Sequence, residues 1–206
     1  MPFVHRRNIL LLAAGVAATL VGSVASRQAA AEQNPAADLI QKTVDRVIKL
    51  VMTKTGEARE AEILRVLETD FDLNYMARAS LGKHWNQATP DQRERFLKVA
   101  ASAEAHAYAK RFGPYGGQTL TVDRSTPKMR GDDVSIVNST LTQTDAEPLA
   151  IQWDVHNGGR GPRIVDVRVE GVSMGVTKRA DYNSFIQAHG GDVEPLIMEL
   201  EARAKR

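Results

Sequence analysis

The hydrophobic period of this chain changes once, at Gly113-Pro114-Tyr115-Gly116-Gly117. Before that break apolar residues recur at three- and four-residue steps, as in helices that bury one face; after it they alternate, as in half-buried strands. A chain that places its helices first and its strands second does not form the repeating strand-helix units of a parallel sheet. On the N-terminal side, Asn34 and Pro35 are a cap and a first-turn residue for a helix with Leu39, Ile40, Val44, Val47, Ile48 and Val51 on one face. Gly56 interrupts, Ile63, Leu64, Val66 and Leu67 predict a second helix to about Asp70, and Phe71, Leu73, Met76 and Leu81 a short third one before Gly82. Thr89-Pro90-Asp91-Gln92 has the form of a capping box with proline in the first turn, opening a long Ala-rich helix to about Phe112.

Beyond the break, strands are predicted at about Thr119 to Arg124, Asp133 to Thr144, Pro148 to His156 and Arg163 to Glu170. Asp145-Ala146-Glu147 and Asn157-Gly158-Gly159-Arg160-Gly161 are too short for crossover helices, so these neighbours pair as antiparallel hairpins. Leu149, Ile151, Trp153 and Val155 share one face, and Val165, Val167 and Val169 lie opposite Asp166, Arg168 and Glu170. Helical spacing returns beyond Gly175 around Tyr182, Phe185 and Ile186, breaks at Gly190-Gly191, and resumes after Asp192 as a cap with Leu196, Ile197 and Leu200. The expected fold is α+β: N-terminal helices, an antiparallel sheet of four or slightly more strands, and two C-terminal helices, with helices packed on one sheet face.

The 206 residues are 43% apolar, enough to build a core and to exclude disorder as the main state. The formal charge of +2 is misleading, because Met1 to Ala31 holds Arg6, Arg7 and Arg27 and no acid. Without them, 24 of the 27 basic residues face 25 acids, and the excess a nucleic-acid binder needs against phosphate is gone. Zero cysteines exclude disulfides, thiolate zinc sites, iron–sulfur clusters and a lipidated N-terminal Cys.

The leader has the three parts of a secretory signal. His5-Arg6-Arg7 is the basic start, Ile9 to Ala25 the uncharged apolar stretch, and Ala29-Ala30-Ala31 the small residues read by a signal peptidase. Gly15, Thr19, Gly22 and Ser23 interrupt the apolar stretch, which falls short of the about 20 residues of a membrane span. Residues 1–31 are therefore expected to be removed and residues 32–206 to form the domain, outside the cytoplasm and most simply in a bacterial periplasm. Arg6-Arg7 before Asn8-Ile9-Leu10 also resembles a twin-arginine signal, so both general and twin-arginine export fit.

The most conspicuous chemical motif is Gly171-Val172-Ser173-Met174-Gly175, which matches the nucleophile-elbow pattern G-x-S-x-G. That elbow needs a parallel sheet under the serine and an acid and a histidine arriving from later crossovers. Here only His189, with Asp181 and Asp192, follows Ser173, and the strands are antiparallel, so a turn whose serine bonds backbone is the expected role. His84, His106, His156 and His189 show no metal-ligand spacing, so no metal or other cofactor is assigned. Asp166 on the polar face of its strand reads as a hydrogen-bonded structural carboxylate, and Arg93, Arg95, Lys98, Lys110 and Arg111 as a solvated helix face, the alternative for these five being a docking surface for acidic headgroups or partners.

With these residues in place, the chain resembles the MlaC or toluene-tolerance family of periplasmic phospholipid carriers over nearly all of its mature length. The resemblance rests on Asp70-Phe71-Asp72, Met76-Ala77, Leu81-Gly82-Lys83-His84-Trp85, Thr89-Pro90-Asp91-Gln92-Arg93 and Phe96 in the helical half. In the sheet half it rests on Ile164-Val165-Asp166-Val167 and Val169-Glu170-Gly171-Val172-Ser173-Met174, followed by Arg179 and Phe185, with Gly175 incidental to the pattern. Thr177-Lys178-Arg179-Ala180-Asp181-Tyr182 with Gly190-Gly191 is closer to the hopanoid-associated branch than to the glycerophospholipid branch. One departure stands out: where the family often carries a Trp before its Val/Tyr-Asp step, this chain has Gly161-Pro162-Arg163.

The resemblance implies a non-catalytic carrier of phospholipids or hopanoid-type lipids between an inner-membrane ABC transporter complex with a lipid-binding periplasmic domain and an outer-membrane lipid-transfer complex. Its cavity is expected between the apolar sheet face and the covering helices. Ile151, Trp153, Val165, Val167 and Val169 are the wall expected from the sheet. Val172, Met174, Phe185, Leu196 and Leu200 are the wall expected from the segment that follows. The same side chains suit an ordinary core equally well. Two other readings use the same residues: a small α+β enzyme, esterase-like through Ser173 or acid–base through Asp166 or Asp154, and a pure interaction module without a cavity.

Overall fold

Asn34 opens the first helix: its side chain accepts from the Ala37 backbone N–H at 2.9 Å, and Pro35, with no N–H to leave unpaired, occupies the first turn of α1 (Pro35–Thr53). The computed structural model describes residues 34–111, 117–125, 128–131, 133–143 and 146–204. The leader, Phe112 and the Gly113–Gly117 break up to Gly116 lie outside the described residues, as do the side chains of Lys110 and Arg111.

After α1 come α2 (Gly56–Asp70), α3 (Leu73–Leu81), the short α4 (Lys83–Gln87) and α5 (Pro90–Arg111). The predicted capping box is formed reciprocally: Thr89 N–H donates to Gln92 Oε1 at 3.0 Å, and Gln92 N–H to Thr89 Oγ1 at 3.2 Å. The single turn of α4 was not expected, because five residues carry too little pattern to register as a helix.

The sheet consists of β1 (Thr119–Val122), β2 (Lys128–Arg130), β3 (Val134–Gln143), β4 (Ala146–Gly158), β5 (Gly161–Val169) and β6 (Val172–Ser173), all paired antiparallel in the order β1-β3-β4-β5-β6. Both β1 and β2 pair with β3, at opposite ends of it. The strands β2 and β6 add to the expected four; three and two residues are too few to show alternation. Between β5 and β6, Glu170 and Gly171 both take positive φ, 50° and 79°, which is the signature of a tight two-residue hairpin turn.

One register feature corrects the strand reading. Asp154 pairs with Asp166 and Val155 with Ile164, so β5 has an extra residue there, a bulge at Val165. The alternation therefore slips by one: Ile164, not Val165, sits across from Val155, and both are fully buried. Trp153 then pairs with Val167 and Ile151 with Val169.

α6 (Met174–Ala188) starts directly from β6, one residue before Gly175, and α7 (Glu194–Arg203) starts two residues after Asp192. Asp192 still accepts from the Glu194 N–H at 3.0 Å, but Val193 occupies the cap position and Pro195 fits the first turn.

Three apolar clusters hold these elements together. Ile40 and Val44 of α1 pack on Val137, Val155 and Ile164 of the sheet; Leu50 of α1 joins Ile63, Leu67 and Ala105 of α2 and α5. Leu81, Phe96, Tyr182, Ile186, Ile197 and Leu200 join α3, α5, α6 and α7, with Phe96 edge-on to Tyr182 at 5.8 Å between ring centroids.

Candidate functional site

The middle of the helix–sheet interface is filled by α1; open space lies at its edge. There the corner between α2 and α3 is fixed to β5 by the residues of the Asp70-Phe71-Asp72 step. Buried Asp70 accepts from Thr43 Oγ1 at 2.6 Å and pairs with Arg46 at 3.4 Å. Phe71 forms a parallel bridge with Ile164, and the Asp72 N–H donates to the Ile164 carbonyl at 2.9 Å. The Asp72 side chain caps α3, accepting from the Tyr75 N–H at 3.0 Å.

Beside this corner is a cleft of about 490 Å³ between α2, α3, α5 and the β4–β5 turn. Leu64, Phe71, Leu73, Leu97 and Ala101 give it an apolar lining. Lys98, Arg160 and Arg163 bring positive charge to it, and Glu68 and Asp72 negative charge. A volume of this order lies within the usual range of ligand pockets.

None of the ten residues expected at a cavity wall lines this cleft. Leu196 and Leu200 belong to the helical cluster at 2% exposure, and Phe185 packs against it while stacking on His189 at 4.1 Å. Trp153 and Val167, register partners, pack against the α1–sheet cluster, with Trp153 Nε1 donating to Ser139 Oγ at 2.8 Å. Val165 is buried at the bulge. Ile151, Val169 and Met174 are half-buried, and Val172 is 55% exposed. The cleft residues missed by the sequence reading come from three helices and a turn, each in a pattern that an ordinary amphipathic face explains. Arg163, from the Gly161-Pro162-Arg163 departure, which in sequence reads only as a local difference of the hairpin, lines the cleft.

Ser173 and Asp166 are occupied structurally. Ser173 is the N-cap of α6: its Oγ accepts from the Val176 N–H at 3.0 Å and donates to Asp166 Oδ2 at 2.6 Å. Asp166 also accepts from the Gly175 N–H at 3.0 Å and the Val167 N–H at 2.9 Å, and pairs with Arg168 at 3.2 Å. At Gly175 the helix start passes close to this carboxylate: a Cβ there would stand 3.1 Å from Asp166 Oδ1. His189, the only histidine after Ser173, bonds the Phe185 carbonyl at 2.8 Å. Asp154, 4% exposed, pairs with Arg130 and, at 2.6 Å, with Arg168.

The other polar candidates are similarly engaged. His84, 2% exposed, lies 3.1 Å from both Gln87 and Asn183, and His106 lies 2.9 Å from Glu60. Among the described residues no group of three His, Cys, Asp or Glu side chains converges as a metal site would. Two members of the expected solvated face of α5 are tied down instead. Arg95 joins Glu194 at 2.7 Å and Glu201 at 3.0 Å, and hydrogen bonds to these carboxylates hold its pKa above the ordinary value. Arg93 donates to the Trp85 carbonyl at 2.9 Å and lies over its ring, with Arg78 also in cation–π range of that ring.

An antiparallel sheet covered by helices, with a partly apolar cleft at the end of one hairpin, defines a small α+β protein. The sequence matches the family model described as MlaC protein over residues 38–202, and the chain belongs to that family. Its fold is also similar to that of a phospholipid-binding protein from Ralstonia solanacearum, solved in complex with a phospholipid. That likeness has a TM-score of 0.69 and covers 82% of this chain and 97% of the other at 20% sequence identity.

Proposed function

We propose that the protein is a periplasmic lipid carrier that takes up a membrane phospholipid or a related lipid such as a hopanoid and carries it through water. The observation that supports this most directly is the fold shared over nearly the whole length of a protein solved with a phospholipid, in a chain that belongs to the MlaC family. Physical chemistry sets the requirement: each methylene of an acyl chain costs about 0.8 kcal/mol in water, so a carrier must offer a dry surface of matching extent. The cleft between α2, α3, α5 and the β4–β5 turn supplies its entrance, and the half-buried Ile151, Val169 and Met174 remain candidates for a wall that forms as lipid enters.

On this reading residues 1–31 are the export signal and residues 32–206 the carrier, loaded and unloaded by an inner-membrane ABC transporter complex and an outer-membrane lipid-transfer complex. Among the described residues no helix is long and apolar enough to cross a membrane. Protein purified from the periplasm of the expressing cell and extracted with organic solvent should release lipid at a fixed ratio to protein, identified by mass spectrometry. Its intact mass should begin at or near Glu32. Lipid-free protein that also takes nothing from vesicles would end the carrier reading.

A further inference from the structure

The cleft is lined by both apolar and cationic side chains. Lys98 reaches it from α5, and Arg160 and Arg163 from the β4–β5 turn and the first residues of β5. Arginines elsewhere in this structure are mostly matched: Arg95 with Glu194 and Glu201, Arg168 with Asp154 and Asp166, Arg124 with Asp38. Among the described residues Lys98, Arg160 and Arg163 form no ion pair and no side-chain hydrogen bond. Of the two acids at the cleft, Asp72 is committed to the α3 cap and Glu68 is exposed on α2, so positive charge is in excess.

Cations without partners next to Leu64, Phe71, Leu73 and Leu97 match one chemistry, an anionic group attached to hydrocarbon. Guanidinium groups meet the oxygens of a phosphodiester through paired N–H donors, while an ammonium supplies a point charge. We propose that Lys98, Arg160 and Arg163 hold the phosphodiester of a two-chain phospholipid whose chains lie along the apolar side chains of the cleft. The proposal rests on the carrier reading and sharpens it. The ligand is selected by its phosphate, and a polycyclic lipid without one gains nothing from these side chains.

The test offers delipidated mature protein phosphatidylglycerol and diacylglycerol with the same acyl chains, together in nonionic detergent micelles. Lipid on the reisolated protein is then quantified by mass spectrometry. Wild type should be enriched in phosphatidylglycerol, and the double variant Arg160→Gln, Arg163→Gln should lose roughly tenfold of that preference while its melting temperature holds. The double variant Arg160→Lys, Arg163→Lys, which keeps charge without the fork, should recover part of it. A preference that is absent from wild type, or equal in the Gln variant, overturns the phosphate assignment and leaves the carrier reading standing. Abolition of the preference by millimolar inorganic phosphate would make the site one for the free anion, against assignment to a lipid headgroup. Uptake of neither lipid by wild type would remove the carrier reading and the proposal with it.

Discussion

Ser173 and Asp166 hold the first turn of α6 between them: the hydroxyl donates to the carboxylate at 2.6 Å, while each accepts one backbone N–H of that turn, from Val176 and Gly175. A serine so placed is a cap, and the Gly171-to-Gly175 motif is explained by helix initiation on a hairpin. Ser173→Ala should cost about 1 kcal/mol of unfolding free energy, measured by denaturant titration, the usual value of a lost cap. Asp166→Ala, which removes one of the two carboxylates paired with Arg168 and the acceptor of the Gly175 N–H, should cost about 1 to 3 kcal/mol. Neither should change lipid content per folded molecule, and a fluorophosphonate probe should not label Ser173. A labelled serine would reopen the hydrolase reading.

Gly82 and Arg179 explain a second motif in the same way. Gly82 ends α3 with φ 54° and ψ −124°, and a Cβ built there would stand 2.7 Å from Arg179 Nε. Gly82→Ala should therefore destabilise by about 1 to 3 kcal/mol, from backbone strain and from displacement of the guanidinium. Adding Arg179→Ala separates the two causes. Relief of the contact should recover part of the loss, and the remainder should persist because the backbone angle is unchanged. Equal stability of wild type and Gly82→Ala would show that the turn is not built as described.

Tyr182 predicts an alkaline limit. Burial, with Glu104 adding to it, pushes its hydroxyl ionisation well above the ordinary phenol range. In the unfolded chain the same group titrates near pH ~10, so above that value the unfolded state binds fewer protons and stability falls as pH rises. The contribution is fully present below about pH 10 and is lost progressively above it. Melting temperatures measured from about pH 9 to 11 should decline less steeply for Tyr182→Phe than for wild type. Parallel slopes would mean that Tyr182 ionises in the native state.

The switch of period at residues 113–117 made the helix-then-sheet order, the hairpins and most helix starts legible, because caps and alternation are local properties of sequence. The bulge at Val165 was not legible: an extra residue in β5 is a fact about its pairing with β4 and leaves no mark on β5 alone. The cleft was hidden for a related reason. Leu64, Leu97 and Ala101 occupy regular helical positions, and whether such a face meets a neighbour or open space depends on how α2, α3 and α5 splay. Filling by α1 likewise decides which sheet residues are core, as with Val137, Val155 and Ile164.

That distinction between filled and open interface can be tested by volume. Ala101 is half-buried on α5 and faces the cleft, so Ala101→Trp places its ring in unoccupied space. It should lower the lipid bound per folded molecule and leave the ligand-free melting temperature nearly unchanged. Val167 packs against the cluster of Ile40, Val137, Val155 and Ile164, where extra atoms must displace neighbours, at a typical cost of about 1 to 3 kcal/mol. Val167→Trp should therefore melt earlier, with lipid per folded molecule unaltered. Val169, half-buried across from Ile151 and outside that cluster, should show a smaller stability loss. The reverse pattern, with Val167→Trp shedding lipid at constant stability and Ala101→Trp retaining it, would move the lipid from the cleft to the sheet face. Parallel measurement of melting temperature and extracted lipid on the three variants decides between the two positions.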